Sequence, residues 1–528
     1  MRLFSDTGFT VSPLCQPNAK MKGTIALMLV HQLIYQGKTS DVAFHTLEKI
    51  TYGQLQKNFA TYRDYFYAQG IRAGENVGLF SRNSAEFVYC YMALSSLGAI
   101  TVPMNFQLTP REVAYIVKDA QMKRLVTMEA LAIEEELLQY EYGAEVKQLV
   151  ISEFEKIFAA ERFEPAPCLD DLIADTSACV IIYTSGTTGN PKGAILTHRN
   201  LISNVRSFGA ALPPASNADN VLCVLPMYHS FAWTCAVLYP LSRGASITIL
   251  EAFAPKETIA AIKDTGVSIV FGVPPIYNYL TRVGAVEHLK GVKTFVSGGA
   301  ALPQKVAEQF QEKYGVPILE GYGLSEASPV VALNPFVKTK FCSIGRPLPE
   351  VRVKIVNSRG ETLPPGEIGE LVVQGPNVMK GYYNLPLETS RALRHGWLHT
   401  GDIAYQDMDG YLFIVDRLKD MIIINGENVY PREIEELLYA FPGVVEAAVI
   451  GVPDKLRGEA ARAYIVMDQE HEFDRKAIRD YLQPRLAAYK VPKDIFQVEA
   501  LPKNKTGKIM KRLLREQIVA ERGQVQTG

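Results

Sequence analysis

Short apolar segments alternate with helical stretches from about residue 50 to residue 330, and this alternation limits the fold more than any other feature of the sequence. One helical stretch, 303-PQKVAEQFQEKYG-315, carries a proline at its start and a glycine at its end, which are common helix boundaries. Strands that alternate with helices indicate a parallel α/β core. The segments expected to be strands are 147-KQLVIS-152, 178-ACVIIY-183, 220-NVLCVLP-226, 245-ASITIL-250, 267-VSIVFGV-273 and 292-VKTFVSGGA-300.

The pattern changes after about residue 350. The segment 351-VRVKIVNSRGETLPPGEIGELVVQG-375 alternates apolar and polar residues around two turns, so it predicts antiparallel strands. A hairpin is expected at Asp409-Gly410, and a helix that begins at Pro431 precedes the strand VVEAAVIGV. We place a domain boundary at Lys419, which gives an N-terminal domain of residues 1–418 and a C-terminal domain of residues 419–528.

The composition argues against several classes of protein. A chain of 528 residues with 48% hydrophobic and 21% charged residues is typical of a folded globular protein with more than one domain. A net charge of −1 gives no reason to expect nucleic acid as a partner. No segment reaches the roughly 18–20 apolar residues of a membrane span, and the nearest, 24-TIALMLVHQLIY-35, is expected to be a core helix. The first residues do not have the pattern of a signal peptide, and no motif falls in the first 20 or so.

The cysteine pattern suggests a cytoplasmic protein. The seven cysteines are scattered along the chain and form no CxxC pair. This favours reduced thiols over a structural zinc site or a disulfide framework.

Unusual polar and glycine-rich stretches follow several of the expected strands. Because ligands of open α/β sheets bind beyond the carboxyl ends of the strands, these stretches predict one large ligand site. They are YTSGTTG after ACVII, PMYHSFAW after NVLCVL, SGGA after VKTFV, and EGYGLSE after VPIL.

The stretch 183-YTSGTTGNPKG-193 has the chemistry of a phosphate cradle. Its glycines allow close approach of the backbone to a ligand, its hydroxyls add hydrogen-bond donors, and Lys192 adds a positive charge. The spacing differs from that of a P-loop, because no glycine is followed after four residues by Gly-Lys-Ser/Thr.

Five motifs, spread from YTSGTTGNPKG to PKNKTGKI (502–509), resemble those of the adenylate-forming superfamily. The others are EGYGLSEAS (320–328), HTGD (399–402) and DRLKDMIIINGENVYP (416–431), and they occur in the order of that superfamily. It contains acyl-CoA synthetases, adenylation domains of peptide synthetases and firefly luciferase. The resemblance extends from about residue 25 to about residue 515. It implies an α/β fold: a large N-terminal domain of α/β subdomains with a small antiparallel β-barrel-like part, and a small mobile α+β C-terminal domain.

The resemblance also implies a two-step reaction with ATP and CoA as co-substrates and Mg²⁺ as cofactor. A carboxylate attacks the α-phosphate of ATP to give acyl-AMP and pyrophosphate, and the CoA thiol then displaces AMP. Lys508 is implied as the adenylation lysine, and Lys192 helps to neutralise the phosphates. Without the resemblance, the loop that holds Lys508 would be no more than a solvated basic loop.

Most of the nucleotide-binding residues are carried over from the superfamily motifs. Glu326 is implied as the magnesium ligand with Thr184 nearby, although a glutamate at a helix start can also serve the helix dipole. Tyr322 would stack on adenine, and Asp402 and Arg417 would bind the ribose. The remaining ATP and AMP contacts are predicted at Ser185, Gly186, Thr187, Thr188, Gly189, Gly298, Gly299, Ala300, Glu320, Gly321, Gly323 and Ser325.

The acyl group is expected near 226-PMYHSFAW-233. The resemblance places His229 beside the carboxylate, although a core histidine is the alternative. Trp233 is either a gate of the acyl tunnel or a core residue. Tyr228, Val273 and Pro274 complete the predicted pocket, whose walls carry no charge, so an apolar tail suits it. No aspartate is present in SFAWTCAV to bind the amine of an amino acid.

The C-terminal domain is implied to swing about Lys419 and to present Asn425 and Gly426 to CoA. We therefore predict a fatty acid–CoA ligase for medium- or long-chain acids. The alternatives are an acyl-AMP ligase that loads a carrier protein, an aryl or coumarate-type CoA ligase, and a non-catalytic adenylate or acyl-CoA sensor. The predicted partners are fatty acid, ATP and CoA, without nucleic acid. The predicted location is the cytoplasm, and peripheral membrane contact and a homodimer stay open.

Overall fold

The computed structural model describes most of the chain. The described residues are 28–143, 145–184, 191–454, 456–503 and 509–516. Three groups of residues named above therefore lie outside them: Ser185 to Gly189, Lys508, and the first 20 or so residues.

Short strands alternate with helices over the first two-thirds of the described chain, and each of the six segments expected there to be strands contains one, with bounds that differ by a few residues. They are β1 (Val42–His45), β2 (Lys49–Thr51), β3 (Asn76–Phe80), β4 (Ile100–Met104), β5 (Arg124–Thr127), β6 (Lys147–Val150), β7 (Ala178–Thr184), β8 (Lys192–Thr197), β9 (Asn220–Cys223), β10 (Ser246–Ile249), β11 (Ile269–Gly272), β12 (Thr294–Ser297), β13 (Ile318–Gly323), β14 (Val330–Leu333) and β15 (Arg346–Pro347).

Longer antiparallel strands follow. They are β16 (Arg352–Val356), β17 (Gly369–Gln374), β18 (Gly381–Tyr382), β19 (Leu393–Arg394), β20 (Trp397–Gln406), β21 (Leu412–Arg417), β22 (Ile422–Ile424), β23 (Glu427–Val429), β24 (Val444–Asp454), β25 (Gly458–Met467) and β26 (Asp494–Gln497).

The α-helices lie between these strands, and the two predicted at Pro303 and Pro431 begin within one residue of those positions. They are α1 (Tyr52–Ala68), α2 (Ala85–Ser96), α3 (Pro110–Asp119), α4 (Glu134–Gln139), α5 (Phe154–Ala160), α6 (His198–Ala211), α7 (Tyr239–Arg243), α8 (Pro255–Thr265), α9 (Pro274–Val283), α10 (Gln304–Tyr314), α11 (Pro386–Ala392), α12 (Pro431–Ala440) and α13 (Arg475–Leu482). The 3₁₀-helices are Val30–Tyr35, Ile151–Glu153, Asp170–Leu172, Val286–His288 and Ser325–Ala327; Ala232–Leu238 form a π-helix, and residues 511–516 are helical.

Two sheets that are parallel at their centres form the N-terminal part. One has the strand order β18-β8-β7-β4-β3-β5-β6, and the other has the order β15-β14-β13-β12-β11-β9-β10-β1-β2. In both, the antiparallel pairs lie toward the edges. The parallel core predicted from the alternation is therefore divided between two sheets, a division that the strand pattern does not reveal.

Helices packed between the two sheets join them into one core. Helix α2 is buried along nearly its whole length, as expected for a helix with apolar residues on every side. It contacts β3 and β4 of one sheet, while its Phe87 and Tyr91 pack on Trp233, which follows β9 of the other. Helix α6 begins at the cap Thr197 and reaches the second sheet through Asn204, which exchanges two hydrogen bonds with Val330.

The antiparallel part forms two further sheets among the described residues. The third has the order β16-β17-β20-β19 with β21 paired to β20, and it stands where the barrel-like part was expected. The fourth has the order β23-β22-β25-β24 with β26 paired to β25. Helices α12 and α13 cover the fourth sheet, and its apolar residues form clusters separate from the main core. The described part thus has the predicted fold class, a large α/β N-terminal domain and a small α+β C-terminal domain.

No helix in the described ranges combines the length and the apolar composition that crossing a bilayer requires.

Candidate active site

The strands β13, β12, β11 and β9 are neighbours in one sheet, and their carboxyl ends bring the predicted acyl and adenine segments together. Gly298, one residue beyond β12, donates its N–H to the carbonyl of Gly272 at 3.2 Å. A side chain at Gly298 would lie 3.1 Å from the ring of Phe231, so this backbone and the segment after β9 are in close contact. A Cβ at Gly299 would lie 3.7 Å from Cγ1 of Val273.

The glycine- and threonine-rich loop connects two antiparallel strands. Thr184 ends β7 and Lys192 begins β8, and the two residues are paired in the ladder. The Oγ1 of Thr184 donates to the carbonyl of Lys192 at 3.4 Å. The Nζ of Lys192 lies 2.5 Å from Oε2 of Glu388 in α11, and the lysine side chain is only 15% exposed. Lys192 is therefore held at the base of the loop by the counter-charge of Glu388, a partner that the sequence does not reveal.

Glu326 lies in the 3₁₀-turn Ser325–Ala327 that follows β13. Its Oε1 accepts a hydrogen bond from the hydroxyl of Tyr382 at 2.8 Å. Burial and the charge of Glu326 raise the pKa of Tyr382, so this hydroxyl is a donor at neutral pH. The Oγ of Ser325 lies 3.2 Å from the Oγ of Ser230, which connects this turn to the segment after β9.

Tyr322, Asp402 and Arg417 form one hydrogen-bonded group. The hydroxyl of Tyr322 donates to Oδ2 of Asp402, and Nε of Arg417 lies 3.1 Å from Oδ1. Asp402 and Arg417 are direct partners in the β20–β21 ladder. Burial, and next the charge of Asp402, raise the pKa of Tyr322, which keeps its hydroxyl protonated. The three residues predicted for adenine and ribose are thus adjacent.

The HTGD motif is itself held by Glu370 of the neighbouring strand β17. Oε2 of Glu370 lies 2.7 Å from Nδ1 of His399, and Oε1 accepts the N–H of Gly401 at 3.1 Å. Thr400 donates to the carbonyl of Leu371 at 2.7 Å and accepts the N–H of Asp402 at 3.1 Å. These contacts fix the backbone from which Asp402 projects.

The segment after β9 carries the predicted acyl residues. His229 is partly buried, and its Nδ1 accepts the N–H of Phe231 at 3.3 Å. Burial raises the pKa of Tyr228 to about 12, and its ring packs edge-on against Phe106. Trp233 is 3% exposed and packs against Tyr91, with ring centroids 4.1 Å apart. Its burial is compatible with both of the roles considered for it. Pro274, which follows Val273, begins α9 and is buried.

Glu320 carries a carboxyl group that is buried in the protein, as that of Asp402 is. It lies within β13, is 4% exposed, and accepts the N–H of Leu302 at 3.1 Å. Burial raises its pKa to about 7, although the charge of Arg432 in α12 acts in the opposite direction. Gly321 and Gly323 belong to the same strand, and Ala300 follows the glycines after β12.

The residues predicted for CoA lie in a tight turn between β22 and β23. Asn425 and Gly426 both have left-handed backbone conformations, with φ of 54° and 84°. Such a two-residue turn favours Asn-Gly for conformational reasons alone. Lys419 lies in the turn of residues 418–420 that precedes β22, next to Asp420, which is paired with Arg515 at 2.8 Å.

The donor set around Glu326 fits a magnesium ion that is bound mainly by substrate phosphates. Among the described residues no group of three or more His, Cys, Asp or Glu side chains could hold a metal. Magnesium in ATP sites usually takes only one or two protein carboxylates. The carboxylate of Glu326, with the hydroxyl of Thr184 at the end of β7, is consistent with that pattern.

Tyr382, Glu388 and Glu370 were not identified from the sequence. They lie outside the motifs, and each acts on a motif residue far away in the chain. The paired tyrosines in the segment GYYN were the only local signal, and they do not indicate which residue they contact.

Two family models match the chain. The model described as AMP-binding enzyme matches residues 34–383, which is more than half of the 528 residues. The model described as AMP-binding enzyme C-terminal domain matches residues 433–508.

Curated relatives and solved structures match over nearly the whole chain. A feruloyl-CoA synthase of Amycolatopsis sp is 36% identical over 468 residues, which are 88% of this chain and 92% of that protein. A long-chain-fatty-acid–CoA ligase of Bacillus subtilis is 34% identical over 508 residues, which are 89% of this chain and 90% of that protein. The crystal structure of ATP-bound MatB from Rhodopseudomonas palustris has a TM-score of 0.86 and 31% identity, and covers 93% of this chain and 99% of that chain.

Proposed function

This chain belongs to the AMP-binding enzyme family of adenylate-forming acyl-CoA ligases, and from that premise we propose that it is an AMP-forming fatty acid–CoA ligase for medium- or long-chain acids. In the first step a carboxylate oxygen attacks the α-phosphorus of ATP, the bond to the bridging oxygen breaks, and pyrophosphate leaves. In the second step the CoA sulfur attacks the acyl carbonyl, AMP leaves, and the thiol proton passes to solvent.

The observation that carries the choice of acid is the lack of charge in the acyl walls. The segments 226–233, 271–280 and 295–302 lie in the described chain and contain no Asp, Glu, Lys or Arg. A pocket of apolar and aromatic side chains favours an acid with an apolar tail. A charged tail would be buried there without a partner, which is heavily penalised.

On the nucleotide side, each residue is proposed to act on one part of ATP. The ring of Tyr322 binds adenine, while Asp402 and Arg417 bind the ribose. A carboxylate offers about four acceptor positions, so Asp402 can accept the ribose hydroxyls in addition to its bonds from Tyr322 and Arg417. Glu326, with Thr184, would hold Mg²⁺, which neutralises charge on the phosphates when bound.

Lys192 and the loop 185–189 are proposed to contact the β- and γ-phosphates, and Lys508 to stabilise the charge that develops at the α-phosphate. His229 is assigned to the substrate carboxylate. The N–H of Phe231 donates to Nδ1 of His229 at 3.3 Å, which helps to orient the ring in the segment proposed to meet the carboxylate. Asn425 and Gly426 are assigned to CoA, and Lys419 to the pivot between the two steps.

A hydroxycinnamate–CoA ligase is the second candidate. The feruloyl-CoA synthase relative favours it, and so do the aromatic rings of Tyr228, Phe106 and Phe231 along the acyl walls. Such a ring would also be compatible with walls that carry no charge.

A pyrophosphate-release assay with a panel of acids separates the two candidates. The panel runs from butyric to stearic acid and includes ferulic and coumaric acids. We expect medium- or long-chain acids to have a kcat/KM about tenfold or more above that of ferulic acid. Preference for ferulic or coumaric acid would overturn the proposal in favour of the second candidate.

Thioester formation is then compared with CoA and with a holo-carrier protein as acceptor. We expect CoA to be used, and exclusive use of the carrier protein would indicate an acyl-AMP ligase. In the pyrophosphate-release assay, the Lys192→Ala variant serves as the negative control, because it should lose pyrophosphate release with every acid.

A further inference from the structure

The segment 381–392 contacts two residues of the nucleotide side, although none of the motifs includes it. Its first part, β18, pairs antiparallel with β8, so that Tyr382 is opposite Ala194, two residues after Lys192. Its second part is α11, which carries Glu388, the partner of Lys192. The segment therefore borders the base of the glycine-rich loop.

Thr389 fixes the backbone of Tyr382 from the side opposite to β8. Its Oγ1 accepts the N–H of Tyr382 at 2.9 Å and donates to the carbonyl of Leu385 at 2.9 Å. A side chain at Gly381 would lie 2.7 Å from Cγ2 of Thr389, so strand and helix are packed closely here. With its backbone bound on two sides, Tyr382 has a defined position from which to direct its hydroxyl.

That hydroxyl reaches Glu326, a residue 56 positions away in the chain, at 2.8 Å. Oε1 of Glu326 is thereby occupied, while Oε2 receives no hydrogen bond from the described residues. A carboxylate with one oxygen bound in this way keeps a fixed orientation and presents its other oxygen to a metal ion. The ring of Tyr382 also lies 5.7 Å from Nζ of Lys192, so it stands beside both groups proposed to face the phosphates.

We propose that Tyr382 is a positioning residue for the adenylation step, which orients Glu326 toward the magnesium ion of MgATP. The inference rests on the proposed function, because it takes Glu326 as the carboxylate that holds the metal. The adjacent Tyr383 provides a matched comparison. It is also a partly buried tyrosine, but it packs in a different apolar cluster and makes no side-chain hydrogen bond to the described residues.

Calorimetric titration with ATP, without any acid, tests the proposal independently of turnover. The titrations are run with Mg²⁺ and with EDTA on the wild type, Tyr382→Phe and Tyr383→Phe. We expect Tyr382→Phe to weaken the binding of MgATP about tenfold, the lower end of the effect of losing a partner of a metal ligand. Its affinity for metal-free ATP should stay at the wild-type value, and Tyr383→Phe should match the wild type in both titrations.

A double-mutant cycle shows whether Tyr382 acts through Glu326. In the Glu326→Gln background, Tyr382→Phe should cause no further loss of MgATP affinity. An equal loss in both backgrounds, or an equal loss for MgATP and metal-free ATP, would overturn the proposal and leave Tyr382 a packing residue. Wild-type affinity of Tyr382→Phe for MgATP would also overturn it.

Failure of the proposed role of Tyr382 can be distinguished from failure of the proposed function. If no acid supports pyrophosphate release, the ligase assignment fails, but the titrations still report on Tyr382 and Glu326. If the panel succeeds and the titrations show no selective loss, only the role of Tyr382 fails.

Discussion

The proposed nucleotide side and the proposed acyl side of the site are built in different ways. On the proposed nucleotide side, comprising Thr184, Lys192, Tyr322, Glu326, Asp402 and Arg417, charged and polar groups are paired by directional bonds, three of which join residues at least 56 positions apart in the chain. On the acyl side, comprising Tyr228, His229, Trp233, Val273 and Pro274, most of the contacts are apolar packing.

This difference explains why the reaction is easier to infer than the acid. A bond between two charged or polar groups depends on the identity and position of both, so the residues proposed to bind ATP form recognisable motifs. An apolar wall depends on volume and shape, and many combinations of side chains satisfy it. Accordingly, a feruloyl-CoA synthase and a long-chain-fatty-acid–CoA ligase are similar to this chain to nearly the same degree.

The largest effect is expected from Lys508→Ala. If Lys508 stabilises the charge at the α-phosphate, its loss should slow acyl-AMP formation by about 10²–10³-fold. Supplied acyl-AMP and CoA should still give thioester at close to the wild-type rate. Rapid-quench measurement of the two half-reactions provides the comparison, and equal losses in both would contradict the assignment.

Gly426→Asn is the complementary variant for that measurement. Gly426 has a positive φ, and no described atom lies within 4 Å of where its Cβ would stand. Asparagine tolerates this conformation better than most residues, so the turn should fold. If the turn meets CoA, this variant should accumulate acyl-AMP while releasing pyrophosphate normally.

The second-largest effect on activity is expected when the charge of Asp402 is removed from the proposed nucleotide side. Asp402→Asn should lower kcat/KM for ATP by about 10–100-fold, because hydrogen bonds to charged groups are worth about 1.5–3 kcal/mol. Discrimination between ATP and 2′-deoxy-ATP should also decrease in this variant. Asp409→Asn, at an exposed turn of the same hairpin, should behave as the wild type. Unchanged discrimination would remove Asp402 from the ribose site.

A smaller and selective effect is expected on the acyl side. Trp233→Phe keeps an aromatic ring between Phe87 and Tyr91 but reduces its size, so the preference among chain lengths should shift by up to about tenfold. KM for ATP should not change. The control is Trp397→Phe, the other tryptophan, which lies in β20 of the third sheet. Equal losses for all acids together with a lower Tm would make Trp233 a core residue only.

The smallest effect on activity is expected from Glu320, whose carboxyl group is buried within β13. Its pKa is raised by burial from 4.5 to about 7, with Arg432 opposing and Glu436 adding to the shift. The folded protein therefore retains a proton that the unfolded chain releases, and stability should fall by up to about 3 kcal/mol as the pH rises from about 4.5 to about 7.

Denaturant unfolding of Glu320→Gln across this pH range checks the prediction. The free energy of unfolding of the variant should lack this part of the pH dependence. The variant should therefore become more stable relative to the wild type as the pH rises. The amide oxygen of the glutamine can still accept the N–H of Leu302, so the two proteins differ mainly in the titratable group. Parallel pH profiles for the two proteins would show that Glu320 is ionised in the folded state.

The sequence by itself predicted several of the strands, two of the helices and the set of motifs. Helix α10 and strands β7, β9 and β12 lie where local apolar periodicity predicts them, because that periodicity records which side of each element is buried. The motifs in their order indicate the adenylate-forming superfamily without any knowledge of tertiary contacts.

Only the tertiary structure decided how these elements meet. It divided the parallel strands between two sheets, made the glycine-rich loop a connection between antiparallel strands, and placed Tyr382 on Glu326 and Glu388 on Lys192. These pairs join residues 56 and 196 positions apart. Periodicity reports the burial of a segment but not its neighbour, and a hydrogen bond depends on both partners, so contacts of this kind arise only when distant elements pack together.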